Sequence, residues 1–296
     1  MTTTIADRHD VVVVGARAAG AATALLLARL GHDVLLLDRA SLPSDTVSTH
    51  QIARPGVVQL ARWGLLDGVL DSGAPPLRSV SFTSAGTSVV RPVKHSAGVD
   101  LLVAPRRYIL DTILAEAAAH AGARVSLGVT VTDVPRDATG RAIGVHGFTK
   151  SGAPVQVAAR FVVGADGLGS RVAREVGAPL LEQRADAGAV QYAYYDGLPW
   201  HGIELFAADA ALAGVFPTHN GQACIWVGTP SVAARSARRW ARSPGTAFTR
   251  LLQAAAPALE ARLRAGHRVS PVRGMLRMPN QRRRAHGPGW ALVGDA

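Results

Sequence analysis

Short, almost wholly apolar runs recur along the chain, and several end on glycine or aspartate. The first is Asp10-Val11-Val12-Val13-Val14. Consecutive β-branched residues predict a strand buried on both faces, as in a parallel sheet. Gly15-Ala16-Arg17-Ala18-Ala19-Gly20 follows, then a helical stretch from Ala21 to Leu30 with Gly31 placed as its C-terminal cap. A second apolar run, Asp33 to Leu37, ends on Asp38, so the opening reads as a βαβ unit. Two later runs have the same form. Phe161-Val162-Val163 leads into Gly164-Ala165-Asp166-Gly167, with Ser170 placed to cap a helix from Arg171. Trp290-Ala291-Leu292-Val293 leads into Gly294-Asp295.

Elsewhere the pattern changes. Runs at Val129–Val134, Ala142–Phe148 and Val155–Ala159, separated by turns, predict a β-meander. Leu110, Ile113, Leu114 and Ala117 keep helical spacing after Arg107. From about 75 to 100 and 180 to 280 apolar and polar residues alternate, as in Ser79-Val80-Ser81-Phe82, and most aromatic residues lie there. These stretches predict a second, mostly antiparallel sheet with a helical part near Ala234 to Leu263. Linkers are expected at Ser72–Pro76 and Gly177–Pro179. The predicted class is α/β. One domain comprises 1–74, 100–179 and 281–296, and a second comprises 75–99 and 180–280.

The opening unit has the residue types that a dinucleotide needs. A pyrophosphate sits at a helix start, where free N–H groups and the helix dipole stabilise its charge. Gly15 permits the tight turn, and Gly20 permits close packing of helix on strand. Asp38, at the end of the second strand, is placed to accept hydrogen bonds from a ribose. Arg17 replaces the middle glycine of the usual fingerprint, so its side chain is expected to point away from the pyrophosphate. An ordinary buried βαβ unit without ligand is the plainer alternative.

Together the three segments resemble the glutathione-reductase-like FAD fold, and within it the aromatic hydroxylases typified by p-hydroxybenzoate hydroxylase. The resemblance implies that Gly15, Ala16, Arg17, Ala19, Gly20, Asp38 and Arg39 surround the ADP half of FAD. It places Asp166 near both FAD and an approaching nicotinamide nucleotide, and Gly294 and Asp295 at the ribityl chain. Arg107 and Arg54 match family arginines close to the cofactor, although either also suits a surface ion pair. His50 lies in a loop that passes near the isoalloxazine ring in the family. There it is expected to orient substrate or move a proton, or else to bond only to backbone. Tyr192 and Tyr194 share one strand face and either line the substrate pocket or pack in the core. The resemblance also implies a Pro-containing loop and a long helix after Gly-Asp-Ala, C-terminal helices that the 296 residues do not include.

Composition narrows the function classes. Cys224 is the only cysteine, which excludes an internal disulfide and a cysteine metal cluster. No apolar run reaches the roughly 18 residues that span a bilayer, and the polar start carries no signal segment, so cytoplasmic residence is expected. The formal charge of +11 is carried almost wholly by scattered arginines. That scatter favours phosphate-bearing small ligands over nucleic acid. The favoured activity is an FAD-dependent monooxygenase using NADPH or NADH and O2 on an aromatic or polyketide-like molecule. The arginine excess leans towards NADPH as a transient co-substrate. The alternatives are an FAD-dependent reductase of the geranylgeranyl reductase type, which the Gly15 turn and the loop from Asp45 to His50 also resemble, and a flavin-binding chain without turnover.

Overall fold

A computed structural model describes residues 8–48, 51–185, 188–239 and 242–296. The chain opens with β1 (Arg8–Val14), α1 (Ala18–Arg29) and β2 (Val34–Asp38), followed by α2 (Arg54–Arg62), α3 (Leu66–Asp71), β3 (Ser79–Ser84) and β4 (Thr87–Pro92). Next come α4 (Arg107–His120), β5 (Arg124–Leu127), β6 (Val129–Asp133), β7 (Gly144–Thr149), β8 (Pro154–Gly164), α5 (Arg171–Glu175) and β9 (Leu180–Gln183). Then β10 (Ala189–Asp196), β11 (Ile203–Ala208), β12 (Ala211–Pro217) and β13 (Ala223–Thr229) precede α6 (Ser231–Arg239), α7 (Pro244–Ala255) and α8 (Pro257–Leu263). Short strands close the chain: β14 (His267–Arg268), β15 (Arg273–Met275), β16 (Gln281–Arg283), β17 (His286–Gly287) and β18 (Trp290–Leu292).

Two compact units result. The first comprises 1–44, 108–184 and 281–296, and the second comprises 45–107 and 185–280. The first is built on a sheet of order β17-β18-β8-β1-β2-β5. Its β18-β8-β1-β2-β5 core is parallel. The Val-rich β1 is buried on both faces because sheet neighbours and covering elements leave neither face wet. The meander expected between 129 and 159 is β6, β7 and the first half of β8. Its last strand does not stop at Ala159 but runs on to Gly164 as the parallel partner of β1.

The second unit carries the sheet β14-β10-β13-β12-β11-β3-β4, with β15 also on β10, antiparallel except between β11 and β3. Ala193, Tyr195, Ile225 and Val227 pack under Phe248, Leu252 and Leu259 of α7 and α8. Tyr192, Tyr194, Phe216, Cys224 and Trp226 form a core on the other face with Leu77 and Ala104.

The unit boundaries differ from those the pattern suggested. Residues 45–74 and 100–107 belong to the second unit, because the bridges Ile52–Val103 and Leu77–Leu102 and the packing of Ala104 beneath Tyr192 tie them there. Residues 180–184 belong to the first unit, because β9 pairs with β16. The helical part expected near Ala234 to Leu263 is made of three helices, since Pro244 and Pro257 each open a new one. Among the described residues no helix is long and apolar enough to cross a membrane.

Candidate functional site

In the first unit the three glycine-ended motifs meet at the carboxyl ends of adjacent parallel strands. That is where open α/β sheets bind ligands. Backbone bonds lock the meeting point. Gly15 N–H donates to the Leu37 carbonyl at 2.7 Å, Ala165 N–H to Val14 at 2.7 Å, and Val293 N–H to Gly164 at 2.9 Å. Gly15 has φ +108°, and a side chain there would lie 2.4 Å from the Ala165 carbonyl oxygen. At Gly20 an added Cβ would sit 1.8 Å from the Gly15 carbonyl oxygen and 2.9 Å from the Ala165 Cβ. Only glycine lets the turn, the helix and the Asp166 segment approach this closely. The Gly294 Cα reaches the same place, since a Cβ on it would lie 2.9 Å from that of Ala19.

Helix α1 begins there without a side-chain cap and with no acidic residue in its first turn. Its leading N–H groups and the positive end of its dipole are therefore uncompensated by side chains. Asp38 accepts from Ala16 N–H at 2.7 Å with one carboxylate oxygen and from Ala40 N–H at 2.7 Å with the other, which ties the turn to the end of β2. Arg17 points out of the turn, as its place in the fingerprint requires. Its guanidinium donates to the Ser44 carbonyl at 2.6 Å, the Ser44 hydroxyl at 2.8 Å and Asp111 at 3.0 Å. Asp111 on α4 is fully buried. Sequence reasoning missed it, although an acid next to Leu110 within an apolar helical stripe was the available signal.

Asp166 spends both oxygens on local structure. One accepts from the Ser170 hydroxyl at 2.6 Å, and the other from the N–H groups of Arg171 at 2.6 Å and Val172 at 3.2 Å. Ser170 caps α5 as its position predicted, accepting from Ala173 N–H at 2.9 Å. Arg39 and Asp295 are exposed. Gly15, Ala16, Arg17, Ala19, Gly20, Asp38, Arg39, Asp166, Gly294 and Asp295 thus all lie in the first unit. Arg54 and Arg107 lie in the second, where Arg54 donates to the Lys94 carbonyl and Arg107 begins α4. His50 lies outside the described residues.

The second unit holds a polar network that the pattern did not announce. The Arg106 guanidinium lies 3.7 Å over the Tyr194 ring and donates to Asp45 at 3.0 Å. The Arg106 backbone N–H donates to Nδ1 of the buried His219 at 3.3 Å. This leaves His219 Nε2 to donate to the Ser72 hydroxyl at 3.0 Å, and that hydroxyl to donate to Val69 at 2.6 Å. Burial, and then the nearby Arg106 charge, lower the His219 pKa. Burial pushes the Cys224 thiol far up, so it remains an unreactive core thiol. Tyr192 and Tyr194 meet edge to face at 5.9 Å, and both are core residues. Over β12 and β13 a mainly apolar groove of about 620 Å³ is lined by Leu212, Trp226, Pro230, Val232 and Met278.

Residues 8–265 match the family model described as the FAD binding domain. The chain belongs to this FAD-binding family. FAD is its cofactor, and its fold is the Rossmann-type flavoenzyme fold. Across 298 residues it is 30% identical to a menaquinone reductase of Mycolicibacterium smegmatis, covering 98% of this chain and 70% of that one. A menaquinone reductase of Mycobacterium tuberculosis is 30% identical over 241 residues, covering 78% of this chain, and the chain spans only 57% of its length. Among solved structures the fold is shared with PqsL, a probable FAD-dependent monooxygenase from Pseudomonas aeruginosa. The TM-score is 0.76 at 20% identity, over 98% of this chain and 79% of that one.

Proposed function

We propose that this family member is an oxidoreductase in which NADPH or NADH reduces FAD and the electrons pass on to an apolar small molecule. The observation that carries the reading is the convergence of the Gly15 turn, the Ala165-Asp166 segment and Gly294 around the open start of α1. In this reading Gly15, Ala16, Arg17, Ala19 and Gly20 form the wall against which the pyrophosphate lies, with the α1 N–H groups as donors. Asp38 holds the turn in shape and offers its remaining lone pairs to the ribose hydroxyls. Arg39, Asp166, Gly294 and Asp295 belong to the same unit and border the same place. The cofactor, when bound, supplies the two-electron exchange.

The acceptor is proposed to be of quinone or polyprenyl type. The support is the menaquinone reductase relative aligned over nearly the whole chain, together with the apolar groove beside Trp226. A second reading is hydroxylation of an aromatic or polyketide-like molecule with O2. It is favoured by the resemblance of the Asp166 and Asp295 motifs to the aromatic hydroxylases.

The test begins with the chromophore released on denaturation, which is expected to be FAD. FMN, or no flavin after reconstitution with FAD, sinks the reading. Anaerobic addition of NADPH to the intact holoprotein should then bleach the flavin band, and a soluble quinone should restore it. Restoration only by O2, with oxygen consumed in proportion to a hydroxylated product, selects the second reading.

A further inference from the structure

We propose that the β3–β4 hairpin of the second unit docks the protein on the surface of an anionic lipid bilayer. β4 is an edge strand of its sheet, and all six of its residues are exposed. Ser84 pairs with Thr87 across a two-residue turn, Ala85-Gly86, at φ +47° and +79°, so no loop shields the strands. Residues 79–90 carry no charged side chain. Phe82 is 46% exposed, Val89 41% and Val90 60%. Strand alternation puts Phe82 and Val89, a cross-strand pair, on one face of the hairpin and Val90 on the other. Both faces of this blade are thus apolar near its outer edge.

The charges sit at the base of the blade. Arg91 is paired with Val80, Arg78 precedes β3, and Lys94 and His95 follow β4. Between 72 and 99 there is no acidic residue. Arg78 meets Asp100, and Glu204, in the same cross-strand row as Ser81 and Val90, is buried and held by Arg262 at 2.9 Å. Asp209 stands at the end of β11, two strand spacings of about 4.8 Å each behind β4. An apolar edge collared by cations matches the order of layers at a bilayer surface, where acyl chains lie beneath phosphates. β4 keeps a row of unpaired backbone groups, so it rests at headgroup depth, where water satisfies them, and does not enter the hydrocarbon. The same edge is a poor seat for a second copy of the chain. It is short, Pro92 lacks an N–H and Arg91 brings charge to it, all of which discourage strand addition. A row of apolar side chains leads inward from this edge. Val89, Phe82 and Leu205 follow one another across β4, β3 and β11 and, past Gly214, reach Trp226 of the apolar groove. The docking stands on the hairpin alone; that the row would lead a lipid-dissolved acceptor to the groove rests on the reading above.

The test is sedimentation of the FAD-loaded protein with lipid vesicles. It involves no electron transfer, so its failure and failure of the redox reading are separate results. The protein should bind phosphatidylcholine vesicles that contain phosphatidylglycerol, and bind phosphatidylcholine alone at least tenfold more weakly. High salt should weaken the binding. Arg91→Gln should weaken it roughly fivefold, the share of one cation near an anionic surface. Val90→Asp should weaken it at least tenfold, with an unchanged melting profile. Leu30→Asp makes the same charge change at a 74% exposed position of the first unit and should bind as the native chain does. Native binding in both hairpin variants overturns the proposal. So does an equal loss in Leu30→Asp and Val90→Asp, or no preference for the anionic vesicles. A dimer in solution that Val90→Asp dissolves also overturns it, because the edge then belongs to a second copy.

Discussion

At the scale of single residues, the Arg17–Asp111 pair shows how a fingerprint departure is compensated. With arginine in place of the middle glycine, the turn survives because the guanidinium is drawn off to Ser44 and to a fully buried carboxylate. Removing one member of a buried pair typically costs about 3–5 kcal/mol. Arg17 is 23% exposed and keeps its Ser44 bonds, so Asp111→Ala should fall at the low end, about 3 kcal/mol by urea unfolding. The double change Arg17→Met with Asp111→Leu should be less destabilising than Asp111→Ala alone. A loss below about 1 kcal/mol for Asp111→Ala would show that the pair carries little. His219 gives a pH signature. Its folded pKa lies below the ordinary 6.5, so on acidification the unfolded chain takes up a proton that the folded chain refuses. The contribution to stability is therefore complete above pH 6.5 and is lost as pH falls below it. Urea midpoints followed downward from neutral pH should fall more steeply in the native chain than in His219→Gln. Parallel slopes would remove His219 from the account.

At the scale of elements, the motifs that carry tight turns were the legible ones. Gly15, Gly20 and Asp38 announced a βαβ unit because each residue type answers a local backbone demand, and Gly31 and Ser170 marked helix ends for the same reason. Segments 45–74 and 100–107 group with the second unit through contacts such as the isolated bridge Ile52–Val103, which leave no periodic trace. Asp111 and the His219 network were missed because long-range polar pairing has no sequence period. Gly20 offers the direct test at this scale. A methyl group there would have to displace backbone, since the nearest atom is the Gly15 carbonyl oxygen at 1.8 Å. Gly20→Ala should push α1 off the strand ends, cost roughly 1–3 kcal/mol, and weaken FAD at least tenfold by fluorescence titration. Retained affinity would mean that the close approach is not part of the cofactor wall.

For the whole molecule, a cofactor that binds only the folded state stabilises it by mass action. FAD at a hundredfold excess over its Kd should add about 2.7 kcal/mol. If the wall proposed above is right, hydrogen exchange should slow most in β1, α1 and the last turn of β8, and much less in β12 and β13. Protection confined to β12 and β13 would relocate the site.

The first unit is assembled from three stretches of chain, with the second unit's residues between them. This sets a timetable during synthesis. When β1 and α1 leave the ribosome, β8, which must lie beside β1 on the side away from β2, still begins some 125 residues further on, and Gly294, whose Cα closes on Ala19, lies 275 residues after it. Closing such long loops is slow, and domains fold as their residues emerge. The nascent chain must therefore shelter an open-edged β1–α1–β2 fragment while residues 45–107 emerge. The last wall of the nucleotide cradle is laid only after both sheets have been translated.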